Sequence, residues 1–194
     1  MSLNSIILAS GSRYRRELLE RLGLPFQAWP PEVDERPHAG EPPRETATRL
    51  ARVKSSAAGK RYPLAWIIGS DQVADLDGEH IGKPGTVDNA RAQLRRLSGH
   101  SVLFHTALCV SHARLERCHE RLVTTEVAFR RLTDAEIDRY LEREHALDCA
   151  GSAKSEGLGI SLLSRLGGDD PTALVGLPLI ALAAILRAEG FDVP

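Results

Sequence analysis

The sequence predicts an α/β fold, and three observations carry that prediction. Short apolar, β-branched runs recur along the chain, at Ser5 to Ala9, Leu64 to Ile68 and Val102 to Val110. Stretches of helical spacing stand between them, as in Arg13 to Leu22 and Glu45 to Ala58. Gly, Ser and charged residues gather where one kind of run gives way to the other. Strands alternating with helices are the pattern of a sheet covered by helices.

Composition bounds the rest. A chain of 194 residues suits one domain, 1–194, with two lobes. Its 42% hydrophobic and 26% charged residues argue against disorder. A net charge of −1 gives no global basic field, so no long nucleic acid partner is expected. A small anionic ligand needs only a local cluster of Lys and Arg. Cys109, Cys118 and Cys149 are odd in number and lack CxxC spacing, which predicts reduced thiols and a cytoplasmic setting. Ile6 to Ala9 is too short for a signal segment. The apolar stretch Leu174 to Leu186 holds Gly176 and Pro178 and is too short to span a bilayer, so no membrane partner is expected.

Ser5 to Ala9 is the first expected strand. Ser10-Gly11-Ser12 is a tight turn with good N-cap residues, and Arg13 to Leu22 follows as a helix stopped by Gly23. Arg13, Arg15 and Arg16 fall in its first turn, where positive charge opposes the macrodipole. That cost points to an anion. Backbone N–H groups, the hydroxyls of Ser10 and Ser12 and the arginines together suit a phosphate. Three solvated arginines on an amphipathic helix are the alternative. The pattern GxxxxGK[ST] is absent.

Phe26 to Trp29 is the second expected strand. Glu32, Asp34 and Glu35 come next, either as oxygen ligands for a divalent cation or as an exposed acidic loop. Arg36 to Pro43 reads as a Pro-rich loop. Glu45 to Ala58 reads as a helix, with Lys54 either on the surface or in a cleft. Leu64 to Ile68 is a buried strand that Gly69 and Ser70 are expected to break. Asp71 and Gln72 then stand at a strand's end, where the clefts of open α/β sheets lie. Asp71 reads equally as a turn cap.

Val73 to Leu76 and His80 to Ile81 flank Asp77-Gly78, a strong hairpin signal, and Lys83 returns near the base of that hairpin. Thr86 caps a helix through Ala90, Leu94 and Leu97. Val102 to Val110 and Leu122 to Phe129 read as strands. Ser111 to Arg121 between them reads as a polar loop, with His112, Cys118 and His119 solvated rather than metal-bound. Thr133 opens a capping box for a helix to about Glu144. Cys149 to Ile160 holds three glycines, two serines, Lys154 and Glu156 and reads as a loop able to approach a ligand closely. A last helix buries Leu179, Ile180, Leu182, Ala183 and Leu186 and ends at Gly190.

Several cations and several carboxylates thus stand near element ends. In one cleft they suit a nucleoside triphosphate with a divalent metal. No Ser/His/Asp order and no nucleophilic Cys motif appears, so water is the better nucleophile.

Ile7-Leu8-Ala9-Ser10-Gly11-Ser12 with Arg15-Arg16 resembles the opening motif of the Maf family of nucleoside triphosphate pyrophosphatases. Glu32-Val33-Asp34-Glu35, Lys54, Gly69-Ser70-Asp71-Gln72-Val73, Gly82-Lys83-Pro84 and the run from Gly151 to Ile160 resemble its other motifs. The resemblance extends from Ile7 to Gly190. Cys149-Ala150-Gly151-Ser152 followed by Lys154-Ser155-Glu156-Gly157 is similar to the YceF-like branch, whose members act on 7-methyl-GTP. The dTTP/UTP branch carries a Tyr/Asp-Lys-Ala-Gly-Ala-Tyr-type run there. Tyr14 stands where that second branch has an arginine. Arg13 departs from the family's usual proline.

The resemblance implies a mixed central sheet with flanking helices, two lobes around a cleft, similar to the inosine triphosphate pyrophosphatase fold. It implies hydrolysis between the α- and β-phosphates with Mg²⁺ or Mn²⁺, giving a monophosphate and pyrophosphate. It implies Asp71 as proton acceptor, with Arg15, Lys54 and Lys83 catalytic beside it. Tyr14, Gln72 and Glu156 are implied to select the substrate, and Ser10, Ser12 and Lys154 to bind the nucleotide. Glu32, Glu35 and Asp71 are the expected metal ligands. The chemistry agrees: a carboxylate can take a proton from water, an aromatic ring can stack on a base, and a cationic methylated purine gains from a carboxylate and a π face. Two rivals stay open, a house-cleaning pyrophosphatase for other nucleotides and a non-catalytic nucleotide-binding regulator of cell division. The expected partner is a small nucleotide, with a homodimer as an open option.

Overall fold

The computed structural model describes residues 5–144 and 146–194. The expected domain, 1–194, thus includes five residues outside that range. A seven-stranded sheet organises the rest. The strands β1 (Ile6–Leu8), β2 (Phe26–Ala28) and β3 (Trp66–Leu76) are parallel in the order β2-β1-β3. Parallel neighbours need long crossovers, and helices α1 (Arg13–Glu20) and α2 (Pro43–Arg61) supply them. From β3 onward the sheet turns antiparallel, and the whole is a mixed α/β sheet as expected. β4 (Glu79–Ile81) pairs with the end of β3, while β5 (Ser101–His112), β6 (Arg117–Phe129) and β7 (Leu163–Gly167) extend the other edge. Helices α3 (Val87–Leu97), α4 (Asp134–Arg143) and α5 (Leu179–Ala188) complete the layers.

β3 joins separate apolar cores at its two ends. Trp66 and Ile68, at its start, pack with Leu18, Leu19, Leu182 and Leu186 from α1 and α5. Ala74 and Leu76, at its end, pack with Leu94, Leu97, Phe104 and Ile137. Asp71 lies between the two.

Local chemistry settles several elements. Asp77 (φ 54°) and Gly78 (φ 88°) are both left-handed, as a two-residue hairpin turn of the I′ type requires. Thr133 and Glu136 form the capping box of α4. Pro43 opens α2 two residues before the expected start, because proline at a first helical position is already set for the helix.

Four expectations change. Gly69 and Ser70 do not break the strand; β3 runs through them with Gly69 opposite Cys109 and Ser70 opposite Leu108. A Cβ on Gly69 would stand 2.4 Å from the carbonyl oxygen of Ala51 and 2.8 Å from the nitrogen of Ser55. Glycine is there because α2 lies against the strand. The polar stretch from Ser111 to Arg121 is mostly strand, with His112 opposite Arg117. The unexpected β7 is a largely exposed edge strand, so it carries no apolar alternation to betray it. Ile180 is exposed rather than buried in α5. Among the described residues no helix is long and apolar enough to cross a membrane.

Candidate active site

A cleft of about 790 Å³ opens beside the middle of β3, between the two cores. Asp71 and Lys54 form its floor. Asp71 is 7% exposed and sits inside β3, not at a strand's end, with Ala107 opposite it on β5. Lys54 is equally buried, at 6%. Its Nζ donates to Asp71 Oδ1 at 2.6 Å and lies 2.7 Å from Glu35 Oε1. The approach of α2 over Gly69 makes this contact: Lys54 stands between Ala51 and Ser55, the residues that touch the glycine. Glu35 feels burial against its ionisation, but the hydrogen bond and charge of Lys54, with Lys83 and Arg15, outweigh it. The carboxyl is held below its ordinary range.

The start of α1 makes one wall. Ser12 caps the helix, its hydroxyl accepting from the Arg15 N–H at 3.4 Å. Arg15 Nε donates to the Gly176 carbonyl at 2.8 Å and Nη1 to the Ser10 hydroxyl at 3.3 Å. Ser10 Oγ also accepts from the Ser12 N–H at 3.1 Å. Burial lowers the pKa of Arg15, and the charges of Asp71 and Glu35 act the other way; a guanidinium remains a cation under these conditions. Ser10, Ser12 and Arg15 are thus one linked unit.

The other predicted residues are distributed around the same opening. Lys83 lines it from the base of the β3–β4 hairpin and is exposed. Gln72 points its amide nitrogen at Thr106 Oγ1 and at the carbonyls of Ala173 and Leu174, each 2.9 Å away. It holds the short turn that carries Gly176 to Arg15. Tyr14 and Lys154 meet at the mouth, with the Lys154 ammonium 5.7 Å from the Tyr14 ring centroid. Glu156 is exposed at the rim, where it accepts from the Ser155 hydroxyl at 3.2 Å.

The expected trio of Glu32, Glu35 and Asp71 does not assemble. Glu32 is exposed and stands apart from the residues that line the cleft. Pro30-Pro31 precedes it, and Glu35 is the acidic residue of this stretch that pairs with Lys54. Among the described residues, the three side chains whose metal-ligating atoms gather within 4.8 Å are Cys109, Cys118 and Glu120, elsewhere on the sheet. Glu35 and Asp71 still converge on one ammonium, and their oxygens are the donors a hard divalent cation takes.

Among the lining residues missed from the sequence are His80, which reaches Thr46 Oγ1 at 2.9 Å, and Asp148, which borders Tyr14. Asp148 directly precedes the glycine-rich loop, which is the one signal that pointed toward it.

The family described as Maf-like protein matches residues 5–189 of this chain. A protein of Aromatoleum aromaticum named 7-methyl-GTP pyrophosphatase is 57% identical over 194 residues, covering 100% of both chains. One of Xanthomonas oryzae pv. oryzae with the same name is 59% identical over 189 residues, covering 97% of this chain and 98% of its own. A third, from Burkholderia thailandensis, is 57% identical and covers 100% of this chain and 93% of its own. A solved nucleoside-triphosphatase / dITP/XTP pyrophosphatase from Mycobacterium abscessus is 15% identical over 95% of this chain and 96% of its own. Its TM-score of 0.43 is too loose a likeness to argue from.

Proposed function

The chain belongs to the Maf family, and from that premise we propose that it is a nucleoside triphosphate pyrophosphatase whose preferred substrate is 7-methyl-GTP. The observation that carries the reading is the floor of the cleft, where one buried lysine is shared by Asp71 and Glu35. Cations to receive phosphate oxygens and a carboxylate to receive a proton stand within one opening.

In the proposed reaction, Asp71 accepts a proton from a water whose oxygen bonds to the α-phosphorus. The bond from that phosphorus to the bridging oxygen breaks, and pyrophosphate leaves with the electron pair. Arg15, held by Gly176 and Ser10, keeps Nη2 to offer to a phosphate oxygen, and a charge-assisted contact of this kind is strong. Lys54 and Lys83 neutralise the charge that grows on the departing group. Glu35 and Asp71 would hold Mg²⁺ or Mn²⁺, and Mg²⁺ is commonly bound by one or two carboxylates plus substrate phosphates. When bound, the ion supplies further neutralisation of phosphate charge. Tyr14 offers its ring to the base and Glu156 an acceptor to its edge. Three cysteines, odd in number and without CxxC spacing, support a reducing, cytoplasmic setting.

The test is pyrophosphate release across canonical and modified triphosphates with Mg²⁺ or Mn²⁺. We expect 7-methyl-GTP to give the highest kcat/KM and excess EDTA to stop turnover. A flat profile sinks the substrate assignment, and full turnover in EDTA sinks the metal.

A further inference from the structure

We infer that Asp148, acting with the Tyr14 ring, selects a cationic base at the mouth of the cleft. On this view the positive charge of 7-methylguanine, rather than the shape of its methyl group, sets it apart from guanine. The inference rests on the substrate reading above and names a residue that reading leaves out.

The structure already holds a cation of the right kind in that place. The Arg13 guanidinium lies 4.7 Å from the Tyr14 ring centroid. Its Nη2 is 3.9 Å from Asp148 Oδ2. The Tyr14 hydroxyl is 3.4 Å from that same carboxylate oxygen. The same Nη2 donates to the Tyr14 hydroxyl at 2.7 Å, so a planar, delocalised cation sits at the hydroxyl end of an aromatic ring, beside a carboxylate. A purine methylated at N7 is another planar, delocalised cation, and guanine is neutral. The attraction of a cation to a π face and to a carboxylate acts on the first and not on the second. Arg13 is 65% exposed on a flexible stem, so it can swing away as a base enters. Until then its guanidinium stands in for the base.

The neighbours agree with this assignment. Glu156 accepts from the Ser155 hydroxyl at the rim, and Asp148 is the carboxylate within reach of the Tyr14 hydroxyl. Lys154, the second cation over Tyr14, has Glu144 3.9 Å away to moderate its repulsion of a charged base. Cys149 lies 3.6 Å from Asp148 Oδ1, and burial pushes its thiol up to about 11, so it stays neutral and Asp148 provides the charge.

The test compares kcat/KM for 7-methyl-GTP with that for the triphosphate of 7-methyl-7-deazaguanosine, which keeps the methyl group and has no charge. The wild-type chain should prefer the charged base. Asp148→Asn should cut that preference about twofold to fivefold, the range for one half-exposed charge contact, and Asp148→Glu should restore it. Arg13→Ala, which removes the competing cation, should raise kcat/KM for 7-methyl-GTP. Added salt should shrink the wild-type preference, since exposed charges are screened. Equal rates on the charged and neutral bases, or an unchanged preference in Asp148→Asn, overturn this inference and leave the proposed function standing. Failure of the wild-type chain to release pyrophosphate from 7-methyl-GTP, while it does so from other triphosphates, overturns the substrate reading and this inference together.

Discussion

The Lys54–Asp71 pair makes a prediction in which stability and catalysis are tied to one contact. Both residues are under 8% exposed, and their charged atoms are 2.6 Å apart. Removing one partner of a buried ion pair costs about 3–5 kcal/mol, because the other charge is left uncompensated. Asp71→Asn should cost less, about 1–3 kcal/mol, for two structural reasons. Asparagine keeps an acceptor for Lys54, and Glu35 stays 2.7 Å from the same ammonium. Lys54→Met should cost the full 3–5 or so kcal/mol, since it leaves Asp71 buried beside Glu35 with the cation gone. The double variant removes both charges of the buried pair. It should be more stable than the sum of the singles predicts by about 1–3 kcal/mol, the coupling expected of residues in contact. Urea unfolding with matching m-values reads these energies. The same proteins report on chemistry. Loss of a general base slows a reaction by about a hundred to ten thousand fold, so single-turnover pyrophosphate release in Asp71→Asn should fall at least that far. The double variant should fall little further, because residues acting as a unit are not additive. Additivity of the stabilities within about 0.5 kcal/mol would refute the coupled pair. A rate above about a tenth of wild type in Asp71→Asn would refute the base.

Three other outcomes follow from the same geometry. Arg15→Ala and Lys83→Ala should each reduce turnover about a hundredfold or more, as loss of a charge-stabilising donor does, with circular dichroism unchanged; near-normal rates in both would place the phosphates elsewhere. Gly69→Ala should destabilise by about 3 kcal/mol, at the upper end for overpacking, because its Cβ meets backbone atoms of Ala51 and Ser55 that cannot turn aside; an unchanged thermal midpoint would show that α2 does not press on β3. The third outcome concerns acid. Hydrogen bonds from the Thr133 backbone and hydroxyl, then from Arg130, lower the Glu136 carboxyl from its ordinary 4.5 to about 2. A carboxyl lowered on folding stabilises above its unfolded pKa, and that contribution fades as pH falls from 4.5 toward 2. Glu136→Gln should therefore lower the urea midpoint at pH 7 and match wild type near the acid end; a gap that persists there would contradict the linkage.

What the residues determine alone is what their neighbours in the chain can satisfy. The Asp77-Gly78 turn, the Thr133–Glu136 capping box and the Ser12 cap of α1 each close within four residues, and each stands where the sequence puts it. The set of cleft residues was largely legible too, since Ser10, Ser12, Arg15, Lys54, Asp71 and Lys83 all reach one opening. Their relations were not. Gly69 and Ser70 look like breakers because backbone preference registers only a missing or small side chain; the packed helix α2 turns that same feature into a close approach and carries the strand onward. Glu32 and Glu35 are alike in sequence and diverge in space, because only one of them meets the ammonium that α2 brings to β3. Asp148 and Tyr14 stand 134 positions apart, and no local pattern links residues so distant. Their meeting depends on which helix covers which part of the sheet, and burial of the two cores along β3 decides that.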